Sequence, residues 1–275
     1  METVSLNKLP ALSKAKLKLM NSLALKKYRR REGRFVAEGV RLVEEARSAG
    51  VGISWVVVAE QGEGNPLGDR VQDLLSGLLE SGVPVYRTGK KDLCKALDPV
   101  QPQPVAAVCE LVSSCLENWQ VPERAVVVVC DALKEPGNLG AVIRAAAASG
   151  TDAVLVGPDT VDPFNSKCVR ASAGSLFRLP VFEASSSAVI GGFLEDNGFA
   201  VFEAATEGEN LFAVEFFPER TALILGSEAE GISTTFTRLG RRSLAVPMAD
   251  GVESLNVAVA AGIILYEIGR RSGRF

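Results

Sequence analysis

The 275-residue sequence contains no histidine, which excludes a Ser–His–Asp triad, a histidine-ligated metal ion and a histidine general base. It also lacks an apolar run of the roughly 18 residues that a membrane-spanning helix requires, and no apolar secretory core follows its basic start. The five cysteines form no Cys-x-x-Cys pair, which favours reduced thiols over disulfides or a zinc site. These absences predict a cytoplasmic protein that needs neither a metal ion nor a membrane.

The positive charge is concentrated at one end of the chain. The net charge is -3, whereas residues 1–50 carry twelve Lys and Arg against five Glu, a net charge of +7. The densest part, KKYRRREGR, surrounds Tyr28. Such a segment is either a solvated helix end or a phosphate-binding patch with an aromatic ring for base stacking. On the second interpretation, the candidate RNA-binding residues are Lys26, Lys27, Arg29, Arg30, Arg31 and Arg34.

The hydrophobic pattern predicts two α/β domains. Residues 1–112 alternate between short strands and helices, beginning with a basic amphipathic helix over 11–28, and hold no catalytic constellation. Residues 113–124 are polar and predict a linker. Residues 125–275 repeat a strand–helix pattern whose strands, such as AVVVVCDAL, are continuous apolar runs. Runs of this kind are typical of parallel sheets that are buried on both faces.

Three segments of the second domain follow predicted strands and are rich in Gly and polar side chains. Motif 1 is Lys134–Arg144, motif 2 is Gly226–Ser233 and motif 3 is Pro247–Asn256. In open parallel sheets, ligands bind at the carboxyl ends of the strands, so all three motifs are candidates for a binding site. A phosphate loop is excluded because Ile232 occupies its lysine position, and no strand is followed by Gly-x-Gly-x-x-Gly.

The pattern also predicts how two of these motifs fold. Within motif 1, KEPGNLG is expected to be a loop that leads into the helix AVIRAAAASG. After motif 3, a long helix with small residues on it is expected to begin near Ser254, whose hydroxyl would cap it.

Taken together, the three motifs resemble those of the SpoU (TrmH-type) RNA 2′-O-ribose methyltransferases of the SPOUT superfamily. Motif 1 matches at Asn138 and Arg144, and motif 2 at Gly226, Glu228 and Gly231. The third motif matches at Pro247, Met248, Ser254, Leu255 and Asn256, and CVRASAGSLFRLPV resembles the segment between the first two motifs. Glu135 and Ala229 depart from the usual residues of the family. More weakly, the basic start of the chain is similar to the substrate-binding domain often fused ahead of this catalytic domain.

This resemblance implies a fold, a cofactor and a partner. The fold class would be α/β, with a C-terminal SPOUT domain, a parallel sheet and a deep trefoil knot, preceded by a small α/β domain similar to a ribosomal-protein-like RNA-binding fold. The domain would act as a homodimer, hold S-adenosylmethionine and methylate a ribose 2′-hydroxyl of RNA without a metal ion. Implied cofactor-binding residues are Leu225, Gly226, Val246, Met248, Ser254 and Leu255.

The implied catalytic residues are Arg144, Asn138, Glu228, Ser254 and Asn256. Arg144 matches the arginine proposed to activate the hydroxyl, but a guanidinium normally stays protonated, so it could instead bind a phosphate or stabilise the developing alkoxide. Ribosomal RNA is the expected substrate and transfer RNA the alternative. A protein that binds RNA without methylating it, and a base-methylating SPOUT enzyme, are further alternatives that the combination of the three motifs disfavours.

Overall fold

The computed structural model describes residues 4–60, 67–97, 103–111, 115–227 and 231–275. Two compact units are present. Unit 1 comprises Met1–Val112 and Phe164–Phe177, and unit 2 comprises Ser113–Pro163 and Arg178–Phe275. The functional boundaries 1–112, 113–124 and 125–275 stay a prediction. In the part of the chain that is described, no helix is both long and apolar enough to cross a membrane.

Unit 1 is a four-stranded sheet with helices on both faces. Its strands follow the order β1-β4-β2-β3, in which only β2 and β3 pair in parallel. In chain order, its elements are α1 Lys14–Ser22, α2 Lys26–Glu32, β1 Arg34–Glu38, α3 Val40–Ser48, β2 Ile53–Ala59, α4 Asp69–Glu80, β3 Val85–Thr88, α5 Lys90–Ala96 and β4 Val105–Glu110. The predicted single helix over 11–28 is therefore two helices, separated by the turn at 23–25.

A segment from the second half of the sequence completes unit 1. The ring of Phe35 in β1 lies 5.1 Å from that of Phe164 and 5.9 Å from that of Phe177. This segment contains the helix α7 (Ser166–Ser172), which packs against β1. Arg170 of α7 donates to the buried carboxylate of Glu38 at 2.9 Å. A buried carboxylate without a cation would be costly, so this ion pair fixes the segment in unit 1.

Unit 2 contains a seven-stranded sheet in the order β7-β6-β5-β10-β8-β11-β9, and every pair is parallel. Its elements are β5 Ala125–Cys130, α6 Pro136–Ala148, β6 Ala153–Val156, β7 Val181–Glu183, α8 Ser187–Asp196, β8 Ala200–Ala205, β9 Glu209–Asn210, β10 Arg220–Leu225, α9 Thr234–Thr237, β11 Arg242–Ala245 and α10 Val257–Arg271. The predicted α/β fold with a parallel sheet is confirmed. The central strands β5, β6 and β10 are buried along nearly their whole length, as their apolar runs predicted, and all six residues of β5 are buried.

Residues 115–124 of the predicted linker pack against unit 2. Leu116 is buried in the core beneath α8, and the Trp119 ring lies 5.5 Å from Phe182 and 5.9 Å from Phe193. The first positions of the linker, 113 and 114, lie outside the described residues.

Motif 1 is helical earlier than predicted. Helix α6 begins at Pro136, and its first hydrogen bond runs from Leu139 N to Glu135 O at 3.2 Å. Proline suits the first position of a helix because its fixed φ is helical and no partner for its missing N–H is needed there. Asn138 therefore lies in the first turn of a helix, not in a loop.

Candidate functional site

The three motifs meet at one edge of the sheet of unit 2. Motif 1 follows β5, motif 2 follows β10 and motif 3 follows β11. Because these strands belong to one parallel sheet, their carboxyl ends lie on the same side. The structure thus brings together segments that are up to about a hundred residues apart in the sequence, as the binding-site prediction required.

Motif 2 forms a tight turn that depends on glycine. Ser227 and Gly231 exchange two backbone hydrogen bonds, of 3.0 and 2.9 Å, which close the turn. A Cβ on Gly226 would lie 2.5 Å from both the carbonyl carbon and the oxygen of Gly231, so a side chain would push the turn open. The predicted residue Glu228 lies outside the described residues, and its proposed role stays a prediction.

Asp131 holds motif 2 against β5 and was missed by the sequence prediction. Its carboxylate is buried and accepts a hydrogen bond of 2.6 Å from Ser233 N, while its own N–H donates to Leu225 O at 2.9 Å. The available signal was a carboxylate directly after six buried apolar residues, a place where a charge needs a specific partner.

The cap of α10 is Asn256, so the prediction that Ser254 caps this helix is wrong. The helix begins at Val257, and Asn256 Oδ1 accepts from Ala258 N at 2.9 Å. Ser and Asn are both good N-caps. The chain is not helical at Ser254, so the cap falls on Asn256. Ser254 is exposed and faces the cavity described below.

The same asparagine joins motif 3 to motif 1. Asn256 Nδ2 donates to Asn138 Oδ1 at 3.0 Å. Asn138 lies in the first turn of α6, and Asn256 is the N-cap of α10, so both residues are at helix N-termini. Two of the predicted catalytic residues are therefore in direct contact, although 118 positions separate them.

A cavity of about 750 Å³ opens between motifs 2 and 3. All six predicted cofactor-binding residues line it: Leu225, Gly226, Val246, Met248, Ser254 and Leu255. Asn256 lines it too, together with Ala260 and Ile264 of α10. The geometry makes these positions one surface, while their role in holding a cofactor stays a prediction.

The cavity also has a polar wall that the sequence prediction missed. The carboxylate of Glu203 in β8 accepts from Arg241 Nε and from Ser243 Oγ, each at 2.5 Å. Glu203 and Arg241 both line the cavity. These bonds link β8 to Arg241, which directly precedes β11, and to Ser243 in β11. They engage both oxygens of the carboxylate, which makes Glu203 a poor candidate for a general base.

Arg144 lies apart from this cavity wall. It is exposed on α6 and is not among the described residues that line the cavity. The next residue, Ala145, faces α10, where a Cβ on Gly262 would lie 3.8 Å from it. The structure thus places Arg144 on a helix that touches both motif 3 and α10, with its guanidinium on the solvent side.

The described residues offer no metal site and no reactive thiol at this edge. No group of three or more Cys, Asp and Glu residues that could hold a metal ion occurs in the described ranges. Cys130 ends β5 next to the site, but burial raises the pKa of its thiol to about 12, so it stays protonated. All five cysteines are free.

The candidate RNA-binding residues of unit 1 differ in solvent exposure. Lys26, Lys27, Arg30 and Arg31 are exposed on α2, and Arg34 is half-buried at the start of β1. Lys27 Nζ lies 4.9 Å, and Arg31 Cζ 4.8 Å, from the centre of the Tyr28 ring.

The prediction that Arg29 belongs to this RNA-binding set is wrong. It is buried, and its Nη1 donates to the carbonyl oxygens of Leu23 and Ala24, both at 2.8 Å. These bonds satisfy carbonyls in the turn after α1, so Arg29 has a structural role in place of the predicted phosphate contact.

Two family models match the chain. Residues 125–266 match the SpoU rRNA Methylase family, and residues 14–107 match an MRM3-like substrate binding domain.

Curated relatives are similar over most of their length. The chain is 32% identical to the 23S rRNA (guanosine(2553)-2′-O)-methyltransferase RlmP of Bacillus subtilis, over 92% of this chain and 95% of the relative. It is 31% identical to the 23S rRNA (guanosine-2′-O-)-methyltransferase RlmB of Xanthomonas axonopodis, over 78% of this chain and 88% of the relative.

Solved structures agree with this assignment. The SpoU methyltransferase AviRb of Streptomyces viridochromogenes, in complex with the cofactor AdoMet, superposes with a TM-score of 0.82 at 28% identity, over 94% of this chain and 98% of that one. An AdoMet-bound rRNA methyltransferase of Sinorhizobium meliloti gives a TM-score of 0.81 at 27% identity, over 95% and 97% of the two chains. The arrangement of the three motifs, the family match and these relatives show that the chain belongs to the SpoU rRNA methylase family.

Proposed function

We propose that the protein transfers a methyl group from S-adenosylmethionine to a ribose 2′-hydroxyl of ribosomal RNA. The observation that carries this proposal is the cavity between motifs 2 and 3, joined to motif 1 by the hydrogen bond between Asn256 and Asn138. The named activities of the relatives support it.

The cavity suits S-adenosylmethionine in size and chemistry. Its volume of about 750 Å³ lies within the range of about 300–1,000 Å³ typical of small-molecule sites. Its apolar wall, made by Leu225, Val246 and Leu255, can accept a flat adenine ring, and Ser254 and Asn256 supply groups that can bond to ribose hydroxyls. Gly226 lines the cavity without a side chain, so a ligand can approach its backbone closely.

The chemistry needs a positioned 2′-oxygen and a way to stabilise its negative charge. S-adenosylmethionine, held by the residues that line the cavity, would supply an electrophilic sulfonium methyl group, and the proton of the 2′-hydroxyl would pass to solvent water. The link between Asn138 and Asn256 holds motif 1 beside the cavity. Arg144, exposed and carrying a permanent charge, binds an RNA phosphate or the developing alkoxide. We assign it this electrostatic role because a guanidinium has no acceptor for the proton.

We also propose a homodimer formed through α10. Its solvent side carries Val259 and Tyr266, which are 51% and 46% exposed, with the half-buried Ile263 between them. The spacing i, i+4, i+7 places these residues in one apolar stripe, and a second copy of the same stripe is a self-complementary partner. The trefoil knot and the cytoplasmic location stay predictions.

Replacing Arg144 tests the proposed reaction. Arg144→Ala should lower kcat for methylation of ribosomal RNA by about 10²–10³-fold, the decrease expected for one charge-stabilising contact. Transfer from tritiated S-adenosylmethionine to RNA, with mapping of the modified ribose, measures this. Calorimetric affinity for S-adenosylmethionine should be unchanged, since Arg144 does not line the cavity.

Arg124→Ala is the matched control, because Arg124 is an exposed arginine at the opposite end of β5. Arg144→Lys should recover part of the activity if the role is electrostatic. Full activity of Arg144→Ala would contradict the assignment of this residue, and a wild-type protein that methylates no RNA would contradict the proposed function.

A further inference from the structure

The helices of unit 1 cover the two faces of its sheet with opposite charge. Trp55 and Val57 of β2 share a core with Met20 of α1 and with Leu93 and Ala96 of α5, so α1 and α5 lie on one face. Side chains alternate along a strand, so Val56 and Val58, which are buried outside that core, point to the other face. Helices α3 and α4 pack against each other and against β1, β3 and β4, and they cover this second face.

The charges of the two helix pairs differ sharply. Helices α1 and α5 together carry six lysines and a single carboxylate, whereas α3 and α4 carry three arginines and five carboxylates. The difference is not visible in the sequence because α5 is more than sixty residues from α1. It appears only when the two helices pack side by side.

Five of these lysines are exposed on the neighbouring helices α1 and α5, and we call this set the lysine surface. Its members are Lys14, Lys18, Lys90, Lys91 and Lys95. The sixth, Lys16, is half-buried and lies 5.4 Å from the Trp55 ring and 5.1 Å from the Tyr86 ring, so its role is to anchor α1. Asp92 is the only acidic residue of the two helices, and it lies 3.7 Å from Lys95.

We propose that the lysine surface binds the phosphate backbone of the RNA substrate and extends the basic residues of α2 into a larger RNA-binding face. Flexible lysines at this density neutralise phosphates and release counterions, which supplies affinity without sequence preference. The surface lies within residues 14–107, which match a substrate binding domain. This inference rests on the proposed function in one respect, the identity of the ligand as RNA.

An anionic membrane is the competing partner for a basic surface, and the exposed residues of α1 and α5 disfavour it. A helix that binds at a membrane surface places large apolar side chains in the lipid. Throughout α1 and α5, both of which are fully described, no large hydrophobic residue is exposed. Apart from the small Ala15, the exposed positions of these two helices are polar or charged, as phosphate binding requires.

Paired charge removals on the two faces test the proposal in the full-length protein. Lys91→Gln with Lys95→Gln removes two charges from the lysine surface, and Lys14→Gln with Lys18→Gln removes two more on α1. Arg41→Gln with Arg70→Gln is the matched control, since it removes two exposed positive charges from α3 and α4. The probe is a protein-free 23S rRNA transcript, and its Kd is measured over a range of salt concentrations.

Each lysine pair should weaken RNA binding by about tenfold and lower the slope of log Kd against log salt by about 1–2, roughly one for each phosphate that is no longer neutralised. The arginine pair should change neither quantity. Equal Kd and slope for the lysine pairs and the wild type would overturn the proposal, as would equal weakening in all three variants.

Two further measurements separate this proposal from its alternatives. Cosedimentation with vesicles of phosphatidylcholine and phosphatidylserine should show no binding that depends on these lysines; lysine-dependent vesicle binding with unchanged RNA binding would overturn the proposal. Methyl transfer by the lysine variants at saturating RNA should reach the wild-type kcat. If the wild type methylates RNA and the lysine variants bind RNA normally, the proposed role of the lysine surface is wrong, while the proposed function still holds.

Discussion

At the scale of single residues, Asn256 has two functions in one side chain. Its oxygen caps α10 through Ala258 N, and its amide nitrogen donates to Asn138. A cap stabilises a helix, whereas the second bond positions the site. The two functions can be separated because serine caps a helix nearly as well as asparagine but cannot reach across to a second side chain in the same way.

We therefore expect Asn256→Ala and Asn256→Ser to differ in stability but not in activity. The alanine variant should lose about 1 kcal/mol of unfolding free energy with the cap, and the serine variant only a few tenths. Both should lose methyl transfer, because both lack the bond to Asn138. Urea unfolding measures the unfolding free energy, and the methylation assay measures the rate of methyl transfer. A serine variant with wild-type activity would show that the contact between the asparagines is dispensable.

The residue scale is also where sequence reasoning reached its limit. The resemblance to the SpoU family implied six cofactor-binding residues, and all six line the cavity at the carboxyl ends of the strands. The motifs did not predict that Asn256 caps α10 in place of Ser254, since both residue types suit the position. Nor did they separate Arg29 from its exposed neighbours, because burial depends on the turn at 23–25.

At the scale of elements, the turn of motif 2 depends on the close approach of Gly226 to Gly231. Gly226→Ala would place a methyl group 2.5 Å from two backbone atoms that cannot rotate away. The turn must shift, and we expect the Kd for S-adenosylmethionine to rise at least tenfold, or about 1.4 kcal/mol. Calorimetry measures this directly.

Gly192→Ala is the matched control for that change. Gly192 lies inside α8, where an added Cβ would meet no atom within 4 Å. This variant should bind S-adenosylmethionine normally and gain about 0.5–1 kcal/mol of stability, because alanine favours a helix more than glycine does. Similar cofactor affinity in both variants would mean that the turn has room to move.

The end of α10 is held by an ion-pair cluster that depends on pH. Hydrogen bonds from Arg270 and Arg271 lower the pKa of Glu267 from 4.5 to about 2. Because the folded pKa lies below the unfolded one, this stabilisation is fully present above about pH 4.5 and is lost as the pH falls towards 2. Arg271 also donates to Phe212 O and Glu215 O, so the cluster joins α10 to the segment before β10.

Glu267→Gln should therefore be less stable than the wild type at neutral pH, and the difference should shrink as the pH falls below about 4.5. Urea unfolding at a series of pH values measures it. Glu195→Gln, which changes an exposed carboxylate on α8, is the control and should track the wild type. A difference that is constant with pH would exclude the ion pairs as its source.

At the scale of the whole molecule, the apolar stripe on α10 predicts the oligomeric state. Tyr266→Glu would place a charge within the proposed dimer contact, and the protein should become monomeric in light scattering after size-exclusion chromatography. Phe216→Glu, at an aromatic residue that is 70% exposed and outside the stripe, should leave the dimer intact. A wild-type protein that is monomeric at all concentrations would contradict the dimer.

The sequence predicted the sheet and the positions of the motifs better than it predicted contacts between distant segments. The parallel sheet followed from continuous apolar strands such as β5, and the position of the motifs followed from the polarity of that sheet. The pairing of α1 with α5 could not be predicted, because no local pattern links lysines at 14–18 to lysines at 90–95. The same is true of Glu38 and Arg170, which are 132 residues apart.

The contribution of Phe164–Phe177 to unit 1 has a consequence for biosynthesis. Small domains commonly fold as they leave the ribosome, the N-terminal one first. Here Phe35 has no ring partners, and Glu38 no arginine, until the ribosome has translated well into the methylase sequence. The first unit to be synthesised is therefore not the first that can be completed, and a gene fragment cut after residue 112 would encode an unfinished domain.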